Sequence, residues 1–380
     1  MGIKIKITPS PPPNLRKKIF LPKIFFPPAT LLFPSQDPVP SPRLIPMSFS
    51  PVTDLTESDH RLLRRCIDGF LPDQIFDIHA HLLHTRHFAK GQPPAFLAAN
   101  TGYGLAGYQE AMQRRMPGRQ VQGLFFGYPS AENDRPGENA WVLEQITGTG
   151  NVGLVLTAPN DDRAEVRRLL QTGSFIGIKP YRLYSGLEDS MEATVESFVP
   201  EWMWEMCDEH QGILMIHLMK SGGITDPQNI ASLQRLCRRY PACRVVLAHV
   251  ARSFNYRHAR EGLHAIADLP NVVVDTSAVT QAGAFHAALK ILGPQRVLWG
   301  SDYPISELRG TCITQGDGFT WIFPDAPQDP PLSHIGHYTL IGIESLLCLR
   351  EACEDTGMTA SDIASIFLHN SLRLLAPHLP

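Results

Sequence analysis

The chain has 380 residues, 43% of them hydrophobic, and 34 basic against 37 acidic residues. That is enough apolar material for one large core, and the balanced charge argues against a nucleic-acid or anionic-membrane binder, which carries a basic excess. Seven cysteines, an odd number with no CxxC pair, argue against a disulfide framework and for a reducing, cytoplasmic setting.

Residues 1–46 are rich in Pro, Lys and Arg and hold one acidic residue, Asp37. Such a composition cannot support a packed core and reads as a disordered leader. Its most apolar part, Ile19 to Phe33, is broken by Pro22, Lys23, Pro27 and Pro28, which fits neither a secretory signal nor a membrane span. Met47 follows directly, and the shift in composition there points to Met47 as the natural start. N-terminal sequencing that found Met1 would overturn that reading. The remainder, 47–380, is expected to form one domain.

Thr56-Glu-Ser-Asp opens a helix in which Leu62, Leu63, Cys66, Ile67 and Phe70 recur at helical spacing. Eight short apolar runs then alternate with amphipathic stretches: Ile75–Ile78, Val121–Phe126, Val152–Leu156, Phe175–Ile178, Ile213–Ile216, Val245–Ala248, Val272–Val274 and Val297–Trp299. Most are continuous rather than alternating, as expected of parallel strands covered on both faces. Residues 229–240 and 282–292 read as helices between them. Eight strand–helix alternations predict an α/β fold, a (β/α)8 TIM barrel of about 250 residues, with an open doubly wound sheet as the other candidate. Two connections, Leu82 to Gln120 and Pro304 to about Ile335, are too long to be simple turns. They follow strands 1 and 8, so they leave the face where barrel active sites form and are candidate lids or substrate loops.

The chemistry gathers at the strand ends. In Asp77-Ile-His79-Ala-His81 the two histidines stand two apart, so an extended strand turns both to one face. His217 ends the fifth run, His249 the sixth and Asp302 the eighth. Taken singly, each is as well explained as a core or loop residue. Barrel strand ends converge on one axis, however, and together they form a metal site. Lys179 ends the fourth run. Its burial would lower its pKa, making it either a carbon-dioxide-carboxylated bridge between two metals or a cation for a substrate carboxylate. Tyr181, Arg182 and Tyr184 after strand 4, Arg252, Ser253 and Asn255 after strand 6, and Glu307 and Arg309 after strand 8 are candidate substrate contacts at the rim. No Gly-x-Ser-x-Gly element and no glycine loop for a nucleotide follows a predicted strand.

Asp77-Ile-His79-Ala-His81, Gly177-Ile-Lys179-Pro, Met215-Ile-His217, Leu247-Ala-His249 and Gly300-Ser-Asp302-Tyr-Pro304 together resemble the amidohydrolase superfamily, in particular its branch of amidohydrolase-related hydrolases, lactonases and non-oxidative decarboxylases. The closing Phe367-Leu-His-Asn370-Ser-Leu-Arg-Leu-Leu375 resembles that branch too, although His369 stands where a glycine or acidic residue is expected. The resemblance covers about residues 73–376. It implies that His79, His81 and Asp302 hold a first metal, that His217 and His249 complete a second site or bind substrate, and that Lys179 is the bridging lysine some members carry. One or two zinc ions are expected, with manganese or iron as alternatives. The implied reaction is hydrolysis of an amide, ester or lactone of a small carboxylated molecule by metal-activated water, with Asp302 as general base and then acid and His249 steering the substrate. The alternative is decarboxylation of a small aromatic or enol acid at the same site. A barrel that only binds a small acid would need no such ligand set. The expected partner is a small molecule, not nucleic acid or membrane, and a homo-oligomer fits the exposed helices of such barrels.

Overall fold

The computed structural model of the chain describes residues 55–67, 69–89, 102–324 and 338–378. The leader and Met47 lie outside the described residues, as do 90–101 and 325–337 within the two long connections. Helix α1 (Glu57–Ile67) starts where Thr56 and Asp59 cap one another: the Asp59 amide donates to Thr56 Oγ1 at 3.1 Å and the Thr56 amide to Asp59 Oδ2 at 2.8 Å.

The eight apolar runs form eight parallel strands, each paired with the next: β1 (Gln74–His81), β2 (Gln120–Phe126), β3 (Val152–Thr157), β4 (Phe175–Pro180), β5 (Ile213–Ile216), β6 (Arg244–Leu247), β7 (Val272–Asp275) and β8 (Val297–Leu298). Helices fill the intervals, among them α2 (Leu105–Arg115), α3 (Arg135–Ile146), α4 (Arg163–Leu170), α5 (Glu201–Glu209), α6 (Pro227–Arg239), α7 (Tyr256–Gly262), α8 (Ala282–Ile291) and α9 (Ile341–Thr356). The segment after β8 meets β1, with the Ile78 amide on Trp299 O at 3.1 Å, the Asp302 amide on His79 O at 2.8 Å and the His81 amide on Tyr303 O at 2.7 Å. The sheet thereby closes into a (β/α)8 barrel. Phe76, Ile78, Leu124, Leu154, Ile176, Met215, Val246 and Leu298 pack together from strands all round the ring and fill the lumen. Leu375 joins that cluster from the last helical segment, and Asn370 beside it donates to Val297 O at 2.8 Å, tying the closing segment to β8.

Two bulges decide what faces the cavity above that plug. Between Asp77 and Ala80, β1 advances three residues while β2 advances two. Phe76 and Ile78 therefore point into the lumen, and so do His79 and His81, whereas simple alternation would turn the histidines outward. Strand β4 repeats the device: Phe175 pairs with Gly153 and Ile178 with Val155, one extra residue on β4. Ile176 faces the lumen below the extra residue and Lys179 faces the cavity above it. Gly177 lies in this bulge, where a Cβ would meet Ile213 O at 2.0 Å, so no other residue fits.

The connection after β8 builds an antiparallel hairpin of β9 (Thr311–Gln315) and β10 (Gly318–Ile322). Thr280 and Gln281 grip its base at Cys312. Asn255, Arg257 and His258 donate to the carbonyls of Gly316, Asp317 and Gly318 at its turn, at 2.9–3.1 Å. No helix among the described residues is long and apolar enough to cross a membrane.

Candidate metal centre

His79, His81 and Asp302 come together at the top of the barrel, all buried, with one ligand atom of each within 4.8 Å of the others. His79 Nε2 lies 3.4 Å and His81 Nε2 3.5 Å from Asp302 Oδ1. Asp302 takes a left-handed backbone, φ 59°, with its amide held by His79 O at 2.8 Å. Each imidazole has its outer nitrogen tied to an oxygen. His79 Nδ1 is 2.9 Å from Asp275 Oδ2, His81 Nδ1 3.0 Å from Gly127 O, His249 Nδ1 2.8 Å from Ser277 O and His217 Nδ1 2.8 Å from Leu218 O. A carbonyl can only accept, so those contacts assign the proton to Nδ1 and leave the Nε2 lone pairs for the cavity.

The electrostatics agree. Burial lowers His79 to about 4 against the pull of Asp275, and it drives His217 well below the usual imidazole range, helped by His249, Arg252 and Lys179. Burial would raise Asp302, but the surrounding imidazoles of His81, His79 and His249 hold its carboxyl far below the ordinary range. Asp275 is likewise lowered to about 2 by His79 in spite of burial. Imidazoles with their Nδ1 atoms fixed and a buried carboxylate are the donor set that a divalent transition ion takes. The residues present fit such an ion.

The cluster opens on a cavity of about 220 Å³, also lined by His217, His249, Lys179 and Tyr181. His249 and His217 stack edge to face, centroids 4.8 Å apart, but neither joins the three-ligand cluster. His249 begins a left-handed turn, His249 to Arg252, with φ between 49° and 62°. Such a turn costs about 1–2 kcal/mol per residue. Asp275 Oδ1 on the His249 amide (2.9 Å) and Arg252 Nη1 on Lys220 O (2.8 Å) hold it in place. Lys179 is fully buried and among the described residues its Nζ has no hydrogen-bond partner, lying near the rings of Phe126 at 4.8 Å and Tyr181 at 5.8 Å. Burial lowers its amine to about 8 although Asp275 and Asp302 pull it back up.

The other rim residues read from the sequence are held elsewhere. Arg182 bonds the Ser190 hydroxyl. The Tyr184 hydroxyl donates to Asn133 Oδ1 at 2.9 Å. Arg252 lies over the Phe319 ring at 5.2 Å. Asn255 caps α7 and anchors the hairpin. Ser253 is buried behind the left-handed turn. Glu307 pairs with Arg115 at 3.1 Å and Arg309 with Asp59 at 2.6 Å, so both serve the framework.

Several residues of the site went unread in the sequence. Asp275 was within reach: it ends the seventh run just as Asp302 follows the eighth. Ser277, two residues on, contacts both His79 Nδ1 (3.1 Å) and His249 Nδ1 (2.9 Å). Tyr128, Phe254 and Trp321 complete the cavity wall, with the Phe254 and Trp321 rings 5.4 Å apart. Nothing in the sequence marks Trp321, which reaches the cavity only because the hairpin is tied down at both ends.

Comparison with known proteins agrees with this architecture. An L-fucono-1,5-lactonase of Burkholderia ambifaria is 26% identical over 185 residues, covering 45% of this chain and 60% of the lactonase, so the match spans about three-fifths of that enzyme. An amidohydrolase of Burkholderia multivorans crystallised with bound zinc superposes with a TM-score of 0.50 at 15% identity, over 81% of this chain and 100% of that one. A dihydroxybenzoic acid decarboxylase from Polaromonas sp. JS666, with bound manganese, superposes with a TM-score of 0.50 at 13% identity, over 81% of this chain and 98% of that one. At such identities these structures speak for the barrel alone. Residues 76–375, from the first strand to the segment that plugs the lumen, match the amidohydrolase profile, and the chain is a member of the amidohydrolase family of enzymes.

Proposed function

We propose that the chain is a metal-dependent hydrolase that opens a C–O or C–N bond, a lactone before an amide, in a small carboxylated molecule. One observation carries the reading: the buried His79–His81–Asp302 cluster faces the same small cavity as Lys179, whose buried amine has no hydrogen-bond partner among the described residues. A desolvated ammonium is costly until an anion meets it, and a substrate carboxylate supplies that anion. The lactonase relative supports the choice of bond.

His79, His81 and Asp302 hold the ion, with zinc the first choice and manganese or iron the alternatives. A divalent ion there supplies Lewis acidity, lowering the pKa of water to about 7 and polarising a carbonyl. The chain's own residues do the rest. The Asp302 carboxylate takes a proton from the attacking water and returns it to the leaving oxygen. His249 and His217 present Nε2 lone pairs that accept hydrogen bonds from the water or a substrate hydroxyl, or serve a second ion. Lys179 Nζ fixes the carboxylate, and Phe254, Tyr181 and Trp321 exclude water. Arg182 and Arg252 add positive charge behind that wall. The seven cysteines, all free and buried, support a reducing, cytoplasmic setting.

A second reading draws on the same wall. Tyr128, Tyr181, Phe254 and Trp321 line the cavity with aromatic rings that can pack against a ring, which favours decarboxylation of an aromatic acid as the competing reaction.

The test is metal content per chain by plasma mass spectrometry on chelator-free protein, followed by turnover of a panel of sugar-acid lactones and hydroxybenzoic acids. About one equivalent, unchanged in Lys179→Ala, with lactone turnover, supports the reading given. Two equivalents falling to one in Lys179→Ala make that lysine a carboxylated bridge. Carbon dioxide release from the aromatic acids alone replaces hydrolysis with decarboxylation. Absence of metal together with activity that survives chelation overturns the metal mechanism.

A further inference from the structure

Glu138 lies in the first turn of α3, fully buried, and no cationic side chain pairs with it among the described residues. An unpaired buried carboxyl is a costly way to fill space. Its two oxygens are turned onto the loop after β2. Oε1 accepts the Tyr128 amide at 2.9 Å, and Oε2 accepts Asn133 Nδ2 at 2.6 Å. The same Asn133 nitrogen reaches Tyr128 O at 3.2 Å, so both backbone groups of Tyr128 are held by this pair.

The peptide that is gripped belongs to the metal centre. The residue before Tyr128 is Gly127, whose carbonyl fixes His81 Nδ1 at 3.0 Å, and the Tyr128 ring stands 5.2 Å from the His81 ring. Packing leaves the peptide no slack: a Cβ on Gly127 would meet Glu138 Cδ at 2.7 Å. On its other side Asn133 accepts the Tyr184 hydroxyl at 2.9 Å, so the grip extends to the loop that follows Lys179 and carries Tyr181.

We propose that Glu138 is a positioning residue for the metal centre, setting the angle of His81 through the Tyr128 amide and the Gly127 carbonyl, and that Asn133 links this setting to the β4 loop through Tyr184. The inference rests on His81 being a metal ligand. Ligand orientation by an outer hydrogen bond governs metal affinity, and loss of such a partner costs about 10–100-fold. Burial pushes the Glu138 carboxyl up to about 8, and a glutamine keeps its shape with one acceptor oxygen, enough for the Tyr128 amide.

The experiment measures zinc affinity by chelator competition, and the visible absorption of the cobalt(II)-loaded protein, for wild type, Glu138→Leu and Glu138→Gln. Circular dichroism and the melting temperature of the metal-free proteins serve as controls. Glu138→Leu, which keeps the bulk and loses the acceptor, is expected to bind zinc about 10–100-fold more weakly and to shift the cobalt bands. Glu138→Gln keeps an acceptor oxygen for the Tyr128 amide but sets an NH2 against Asn133 Nδ2, so it should bind zinc more tightly than Glu138→Leu and shift the cobalt bands less. Should Glu138→Leu not fold, Asn133→Ala and Gly127→Ala disturb the same peptide, one by removing a donor and the other by crowding, and are expected to weaken zinc in the same sense. Wild-type affinity and cobalt spectra in the folded variants overturn the inference alone. Failure of the wild type to bind zinc or cobalt overturns the metal reading itself.

Discussion

Replacing Asp302 by asparagine isolates the role of one negative charge. Asparagine keeps the shape and is among the few residues that accept a left-handed backbone, here φ 59°, without strain. The amide hydrogen bond to His79 O is unaffected by the change. What disappears is the carboxylate facing His79 Nε2 at 3.4 Å and His81 Nε2 at 3.5 Å. Loss of a positioned general base lowers turnover about 10²–10⁴-fold, which is about 3–5 kcal/mol of barrel-top stabilisation of the transition state. The metal-free fold should persist by circular dichroism but melt below wild type, because a carboxylate held far below its ordinary range contributes to stability at neutral pH. Asp302→Ala is the control for geometry: it loses the same charge and adds about 1–2 kcal/mol of backbone strain, so its melting temperature should fall below that of Asp302→Asn. The assay is initial rate at saturating metal on a substrate from the panel, with metal content measured on the same sample. Asp302→Asn turning over within about tenfold of wild type with its ion retained would refute the general-base assignment.

Three further outcomes follow from other parts of the molecule. Trp321→Ala should raise KM for ring substrates about tenfold with kcat little changed, since an aromatic wall contributes on the order of 1–1.5 kcal/mol beyond simple burial; an unchanged KM would remove the hairpin from recognition. Burial alone would raise the Asp59 carboxyl, but Arg309, Thr339 and Thr56 hold it far below its ordinary 3.8. Its contribution to stability is therefore present above pH 3.8 and lost as pH falls toward the folded value, and Asp59→Asn, read by urea unfolding at pH 7, should cost about 1–3 kcal/mol through the weakened charge-assisted hydrogen bonds to Arg309 and Thr339. Glu138 titrates in the opposite sense: its folded carboxyl is raised from 4.5 to about 8, so the folded state holds the extra proton between those values and stability falls as pH rises through that window. Melting temperatures of metal-free Glu138→Gln should decline less than wild type from pH 5 to pH 8, and parallel curves would contradict the raised carboxyl.

The strands and most of the side chains that meet at the cavity were legible because each rests on local pattern. Eight apolar runs mapped onto eight barrel strands, and the rule that barrel chemistry sits at strand ends found His79, His81, His217, His249, Lys179 and Asp302. The same rule, applied to Val272-Val-Val-Asp275, finds the carboxylate that orients His79. Rim residues were harder. Arg309 and Glu307 look like solvent-facing loop charges until the fold brings Asp59 and Arg115 to them from far away in sequence. Asn255 reads as a substrate contact by position, yet its side chain is spent on the hairpin turn. Glu138 reads as an ordinary acidic residue in a helix's first turn, because only three-dimensional packing shows which peptide it grips. Trp321 depends on a hairpin whose base and tip are fixed by side chains from two other connections, and no periodicity records that.

The bulges in β1 and β4 give the site an unusual genetic grammar. Which way His79, His81 and Lys179 face is set by the pairing above each bulge, not by what the residues below it are. Substitutions at Phe76 or Ile78 change packing but leave the ligands aimed inward. Deleting one residue from either bulge would restore regular alternation and leave His79, His81 or Lys179 still facing the cavity, because the pairing above the bulge is unchanged. What the extra residue in β1 adds is succession: a lumen plug and a cavity residue follow one another directly, Ile78 then His79, which strict alternation forbids.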